Sequence, residues 1–397
     1  MERRYRLLFI AFIESFATIL LERGFYFYTR DILHFEEYQN LMLALMFGVI
    51  YVFGAVLSHR IAHKISEKYA FFSAVSILLL TNLMIFLFPN NALIVISFGI
   101  IAFVTGAKWP ILESYISAGQ TPRHVLRIIG YFSLSWAGAA PLALVASGFL
   151  IGSDSPTRFF ATAASIHALT LFACIFLKKR PVHLAENHPE RLPSIQLHQY
   201  KHLLKASRMS MLSSYALLFL LAPLMPTIFS RLNFDVQASA SLSGLLDVMR
   251  FVAFLILGFF ATWHGRSTPV FLMIFALPLG FFMVLFGSNI YVVLVGEILF
   301  GLASGLMYYG SLYYALILQN SAVNAGGEHE GLIGTGFALG PLIGLIGLSL
   351  SNITGNTWGM LIGVTPIIVL CIVLALNQLW HLHQFTTSLK QNSAESQ

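Results

Sequence analysis

Twelve apolar stretches follow one another along the chain, and this succession restricts the fold more than any other feature. A helix needs about 20 residues to cross the hydrocarbon core of a bilayer. The stretches fall at approximately 6–28, 39–59, 69–88, 91–117, 127–151, 159–177, 209–231, 237–262, 268–287, 290–318, 331–351 and 357–380. Short polar hinges such as Pro89-Asn90-Asn91 and Gly287-Ser288-Asn289 separate them. Only 10% of the 397 residues are charged, against about 25% in soluble domains. That is too few to clothe a water-facing surface, so the expected class is an all-α, multi-pass membrane protein. The first stretch carries Glu14, Glu22 and Arg23 and lacks a small-residue cleavage site, so it is expected to remain as a span.

Twelve spans put both termini on one side. If that side is the cytoplasm, 17 of the 23 Lys and Arg residues lie in cytoplasmic segments, 3 in outer loops (Arg30, Arg158, Arg231) and 3 within spans. This positive-inside bias predicts an N-in, C-in topology in the cell (inner or plasma) membrane. It also accounts for the net charge of +6 without a nucleic-acid partner. The longest polar segment holds Lys178, Lys179, Arg180, Arg191, Lys201, Lys205 and Arg208. It divides the chain into a six-helix bundle over 1–177, a cytoplasmic linker over 178–208, a second bundle over 209–382 and a tail over 383–397. A docking site for anionic lipid is the other reading of that linker.

Eight charged side chains lie inside apolar stretches, and they occupy only four of the twelve: Glu14, Glu22 and Arg23 in span 1, Lys108 and Glu113 in span 4, Asp247 and Arg250 in span 8, and Glu297 in span 10. Each would cost roughly 2.5–3.5 kcal/mol at the bilayer centre, so eight facing lipid would cost on the order of 20–28 kcal/mol. They are therefore expected to face a polar interior cavity. At about 1.5 Å per residue, Lys108 and Arg250 lie near mid-membrane, Glu22, Arg23 and Glu297 in the outer half, and Glu14 and Glu113 in the inner half.

Asp247 and Arg250 are three apart and can pair with each other; alternatively Arg250 anchors a solute and its acid partner is exchanged. Glu22 and Arg23 point about 100° apart on one helix, so each needs a partner on another span or on a ligand. Lys108 precedes Trp109-Pro110, where proline bends a helix and frees a carbonyl. Two roles are open for Lys108: coupling, or a standing ion pair with Glu22 or Glu14. Glu297 has no basic neighbour on its helix and has three readings: a proton carrier, a site for a solute ammonium, or a partner of Arg250. Tyr26, Trp109, Trp136, Tyr308 and Tyr309 are candidate cavity aromatics, although Tyr and Trp also suit membrane interfaces.

The two halves echo each other. Gly54, Ser58 and Arg60 at the end of span 2 answer Gly258, Thr262 and Arg266 at the end of span 8. Gly106 and Tyr115 in span 4 answer Gly305 and Tyr314 in span 10, and Gly138 with Pro141 answers Gly340 with Pro341. On these features the chain resembles the major facilitator superfamily over nearly its whole length. The resemblance implies two pseudo-symmetric six-helix bundles, alternating access around a central cavity, and spans 3, 6, 9 and 12 facing lipid. That family's acid after span 2 is Ser58 here and Thr262 in the second copy, so its charge-relay role is not carried over, while close helix packing at Gly54 and Gly258 is. More locally, Glu22-Arg23 followed by aromatics, Gly106 with Lys108 and Pro110, and Gly296-Glu297 are similar to motifs of proton-coupled peptide transporters. The pattern departs from that family at Ile19, Gly24 and Trp109.

The expected function is secondary transport of a small polar, carboxylate-bearing solute, zwitterionic in the fullest case, by a proton-coupled monomer. Arg23, Lys108 and Arg250 would attract the anion and Glu297 the cation, with Trp109, Tyr26 and Tyr309 beside them. Glu14, Glu22, Asp247 and Glu113 would carry coupled protons. Rival readings are efflux of amphipathic cations, and a transporter-like sensor or scaffold. No nucleotide loop, zinc-ligand spacing or nucleophile–base motif is present, so neither a cofactor nor enzyme activity is expected. Cys174 and Cys371 lie inside spans and imply no disulfide. Glu328-His329-Glu330 is expected in a cytoplasmic loop after a Gly326-Gly327 turn.

Overall fold

The computed structural model describes residues 2–118, 122–181, 194–318, 323–355 and 358–395, and every regular element among them is helical. Arg191 of the expected linker lies outside the described residues. The first rod consists of α1 (Glu2–Ile19), a π-helical turn (Leu20–Gly24) and α2 (Phe25–Asp31). Next come α3 (Glu37–Ile65), α4 (Glu67–Leu87), α5 (Asn91–Ser117), α6 (Pro122–Ile151) and α7 (Arg158–Cys174). The second half holds α8 (Ser194–Arg231), α9 (Val236–Leu242), α10 (Leu245–Phe259), α11 (Thr268–Phe286), α12 (Ile290–Leu318), α13 (Val323–Thr354) and α14 (Trp358–Glu395).

Ten of these helical stretches, with α9 and α10 counted together, are long and apolar enough to cross a membrane, and α7 is a shorter apolar helix. The first rod is charged, and its π turn interrupts it at Glu22-Arg23. Several helices overrun the expected spans. Helix α8 begins at Ser194 rather than near 209, and α14 continues to Glu395. Helix α13 begins at Val323, so Glu328, His329 and Glu330 are helical rather than part of a loop. Glycine lowers helix propensity by about 1 kcal/mol relative to alanine, a penalty that packing of α13 against α3 and α8 outweighs.

The helix pairings repeat between halves. The first rod packs on α6 as α8 packs on α13, α3 on α5 as α10 on α12, and α4 on α5 as α11 on α12. Across the halves α3 meets α13, and α6 meets α9 and α10. Helix α8 is nearly enclosed, with 94% of its most apolar window buried, whereas α11 and α14 reach only 39% and 33% and form the rim.

Backbone contact at glycine sets some of these pairings. A Cβ on Gly54 would overlap the Phe103 carbonyl of α5, and one on Gly106 the Tyr51 carbonyl of α3. In the second half the corresponding contacts come from Gly301, against the Leu246 carbonyl, and Gly305, against Arg250 and Ala253. Gly258 does not reproduce Gly54: a Cβ there meets only the Tyr309 hydroxyl, at 3.7 Å. Helix α10 ends at Phe259 and gives way to a 3₁₀ turn at Ala261–Trp263, so Gly258 lies at a helix end instead of inside a helix–helix seam.

Both chain ends lie at one face. Arg6 stacks on Phe176 near the end of α7, the Tyr115 hydroxyl donates to the Lys178 carbonyl at 2.6 Å, and His198 of α8 packs on Phe385 of α14. Toward the opposite face the halves touch closely: a Cβ on Gly148 would come within 2.9 Å of the Gln237 carbonyl, and one on Gly344 within 2.8 Å of Leu41.

Candidate functional site

Two local departures from regular α-helix position the charges of the site. The π turn carries Glu22 and Arg23, and π turns inside helices recur at functional sites. The α9–α10 break falls at Ser243-Gly244, three residues before Asp247. The sequence suggests a break at Lys108, but α5 runs on through Pro110.

Arg23 Nη1 forms a short, buried ion pair with Asp247 Oδ2. Arg250 reaches the other oxygen, Oδ1, at 3.5 Å and donates to the Tyr215 hydroxyl at 2.9 Å. Its guanidinium also lies 5.0 Å from the Trp136 ring centre and 5.5 Å from that of Tyr215. Both open readings of Asp247–Arg250 are thus incomplete, because Asp247 serves Arg23 at closer range than Arg250. One carboxylate holds two guanidinium groups, one from each half of the chain.

This network borders a cavity of about 80 Å³. The first rod contributes Ser15, Thr18, Ile19, Glu22 and Arg23; α3 contributes Tyr51; α5, Trp109 and Glu113; and α6, Phe132 and Trp136. From the other half come Tyr215, Leu218 and Phe219 of α8, Arg250 of α10, Tyr308 of α12, and Glu330, Ile333 and Phe337 of α13. Glu22, Arg23, Trp109, Glu113 and Arg250 line the same cavity. Glu22 lines that cavity and makes no hydrogen bond or ion pair among the described residues, so its carboxylate is available to a bound group.

The other expected site residues lie elsewhere. Lys108 donates to Glu14 at 2.6 Å and to Thr18 at 2.9 Å, and Glu14 also meets His167 Nδ1 at 3.1 Å. Lys108, Glu14 and His167 are buried and none of them lines the cavity. The standing ion pair with Glu14 is thus the realised alternative for Lys108, whose ammonium is spent inside the first half. Glu297 is fully buried, and neither of its oxygens has a partner among the described residues. It neither pairs with Arg250 nor reaches the cavity. Tyr26 is buried and packs edge-on against Phe98; its hydroxyl has no partner among the described residues, and its backbone carbonyl accepts from Thr29 and Asn40. Tyr309 packs on Trp263 and Phe254, leaving its neighbour Tyr308 to face the cavity.

Among the cavity residues that escape the sequence reading are Tyr51, Tyr215 and Glu330. Glu330 accepts a hydrogen bond from Tyr51 at 2.5 Å, and its carboxyl interacts with that of Glu113. The sequence signal for Glu330 is its place on the helical face of Ile333 and Phe337, obscured by the two glycines before it. Among the described residues no cluster of His, Cys, Asp or Glu is suited to hold a metal ion.

A sequence model of the Major Facilitator Superfamily matches residues 7–345. The chain belongs to that superfamily. Within it, the structure resembles the nucleoside transporter NupG, with a TM-score of 0.64 and 16% identity over 96% of this chain and 98% of that one. It also resembles the human organic anion transporter MFSD10, with a TM-score of 0.67 and 12% identity over 94% and 99%. A third match is a bacterial homologue of the human lysosomal transporter Spinster in an inward-facing, unoccupied state, with a TM-score of 0.63 and 13% identity over 98% of both chains. At such identities the likeness establishes the major facilitator fold. No curated protein sequence matches the chain. As a member of this superfamily the chain is a multi-pass membrane protein and a secondary transporter of a small-molecule substrate.

Proposed function

We propose that the protein carries a small solute bearing a carboxylate, and in the fullest fit an ammonium group as well, in a proton-coupled cycle of alternating access. The observation that carries this reading is the sharing of Asp247 by Arg23 and Arg250 at the cavity wall. Two guanidinium groups against one carboxylate leave a positive charge to be met by a ligand. Arg250, planar and stacked on Trp136, offers its donors to a carboxylate in a way lysine cannot match. Glu22, open to the same cavity, would take the ammonium. The aromatic lining of Trp109, Trp136, Tyr215, Tyr308, Phe219 and Phe337 suits an apolar body between the charged ends.

The cycle would run in a monomer with twelve spans, N-in and C-in in the cell membrane. Residues 1–177 and 209–382 would form the moving bundles, 178–208 their cytoplasmic linker and 383–397 a tail. Arg23–Asp247 joins the bundles, so a ligand that engages either arginine changes the contact between them. Glu22 and Glu113 are the proposed cavity acids of the proton cycle.

A second reading is efflux of an amphipathic cation. Glu22, Glu113 and Glu330 all border the cavity, and its aromatics could stack on a cationic ligand. Proteoliposomes holding purified protein and a pH gradient separate the two. Uptake of labelled amino acids or dipeptides that is lost in Arg250→Gln supports the first. Extrusion of a lipophilic dye that survives Arg250→Gln but is lost in Glu22→Gln overturns it.

A further inference from the structure

The α3–α13 seam is the more extensive of the two cross-half contacts, and it contains an uncommon pair of acids. Glu330 of α13 is 5% exposed and accepts from the Tyr51 hydroxyl of α3 at 2.5 Å. Glu113 of α5 lines the same cavity wall, and its carboxyl interacts with that of Glu330. Two carboxylates offer only acceptors, so a hydrogen bond between them requires one proton. The three residues come from both halves: Tyr51 and Glu113 from the first, Glu330 from the second. One turn further along α13, Gly334 brings the backbone against Tyr51, where a Cβ would lie 3.0 Å from the ring.

We propose that Glu330 is a proton-binding residue, and that the proton it shares with Glu113 fastens α13 to α3 and α5 on the side of the cavity facing the chain ends. With the proton in place, the Tyr51–Glu330–Glu113 chain is complete and the halves are clamped. When it leaves to cavity water, both acids become carboxylates, the bond between them is lost and like charges face each other across the seam. The halves then separate at the face that carries both chain ends. The contacts nearer the opposite face, at Gly148 and Gly344, do not involve these groups. This inference rests on the proposed proton-coupled cycle and assigns the proton to a residue that cycle did not include.

Other titratable groups face the pair from each packed element. They include Glu22 of the first rod, Tyr215 of α8 and Tyr308 of α12, with two cations, Arg250 of α10 on the same cavity and Arg208 of α8, which pairs with Glu328. His329, next to Glu330, is buried with both ring nitrogens unpartnered among the described residues and packs edge-on against Tyr308. It is the competing candidate for a pH response, and the test must separate the two.

The experiment places spin labels at the exposed His59 of α3 and Lys205 of α8. They are introduced as His59→Cys and Lys205→Cys in full-length protein with Cys174→Ala and Cys371→Ala, reconstituted in nanodiscs without added solute. Pulsed dipolar spectroscopy then gives the ratio of separated to clamped populations against pH. A single-proton clamp makes that ratio rise by up to about tenfold per pH unit. Glu330→Gln, whose amide bonds Tyr51 and Glu113 without a shared proton, is expected to stay clamped at every pH. Tyr51→Phe should raise the separated fraction at low pH and keep the pH dependence, while His329→Gln should leave the profile unchanged. The proposal is overturned by a pH-independent wild type, by a Glu330→Gln profile like that of wild type, or by loss of the response in His329→Gln. No solute is needed, so a failure here is separable from a failure of coupled transport. A flat spin-label profile beside pH-driven solute uptake would remove Glu330 and leave the transporter reading intact.

Discussion

Replacing Asp247 with asparagine strikes the point where the halves are tied by charge. Asp247 is 1% exposed and Arg23 3%, so neither is compensated by bulk water. Two unit charges 4 Å apart interact by about 4 kcal/mol at an effective dielectric of 20. Removing one member of a buried ion pair typically costs about 3–5 kcal/mol because the other charge is left without a counter-ion. Here two guanidinium groups lose theirs at once, so Asp247→Asn is expected at the upper end of that range. Arg23→Gln removes one of the stranded charges, and the double variant should recover part of the loss. The assay is a double-mutant cycle on reversible unfolding in mixed micelles. The expected coupling between Arg23 and Asp247 is about 1.5–3 kcal/mol, the upper part of the roughly 0.5–3 kcal/mol found for residues in one network. Additive losses, with coupling below about 0.5 kcal/mol, would mean the pair is energetically idle and would refute the reasoning.

Further outcomes follow from the same geometry. Lys108→Ala should destabilise the protein by about 3–5 kcal/mol by stranding Glu14, and Glu14→Gln in the same chain should restore part of it. Ligand affinity in that double variant should match wild type, measured by thermal shift and by binding. Arg250→Lys should weaken a carboxylate ligand by about 1.5–3 kcal/mol, roughly 10- to 150-fold, through loss of one charge-assisted bond and of the stacking on Trp136, seen by titration calorimetry. Gly54→Val should fail to yield folded protein, because its side chain would occupy the Phe103 carbonyl, whereas Gly258→Val should fold. Monodispersity after extraction reads both.

Much of the frame is legible because lipid simplifies the code: apolar length sets a span, and charge inside a span demands an interior. That logic asks for an interior around Glu22, Arg23, Glu113 and Arg250, and these four line one cavity. It leaves the partners open where the sequence offers a local choice. Asp247 looks sufficient for Arg250 at a spacing of three, yet the π turn at Leu20–Gly24 swings Arg23 onto it. No residue pattern marks that turn. Lys108 has two outcomes at the level of sequence, and the choice falls to His167 of α7 and Thr18 of the first rod, whose approach to Glu14 and Lys108 depends on how α7 and α5 meet that rod. The pair Gly326-Gly327 weakens the local helix signal and so points to a loop at Glu330. Tertiary packing against α3 and α8 extends α13 through it all the same. Gly258 copies the pattern of Gly54 without its neighbour, since α10 ends one residue later.

The central claim is that charged residues of both halves surround one water-reached cavity while Lys108, Glu14 and His167 form a dry cluster beside it. Single cysteines in a Cys174→Ala, Cys371→Ala background, probed with membrane-impermeant thiol reagents in sealed vesicles of each orientation, measure this directly. Ser15→Cys, Trp136→Cys and Tyr308→Cys should react from at least one side, while His167→Cys and Ser97→Cys stay inert from both. Equal reactivity of the two sets, or inert cavity positions in both orientations, would contradict the account.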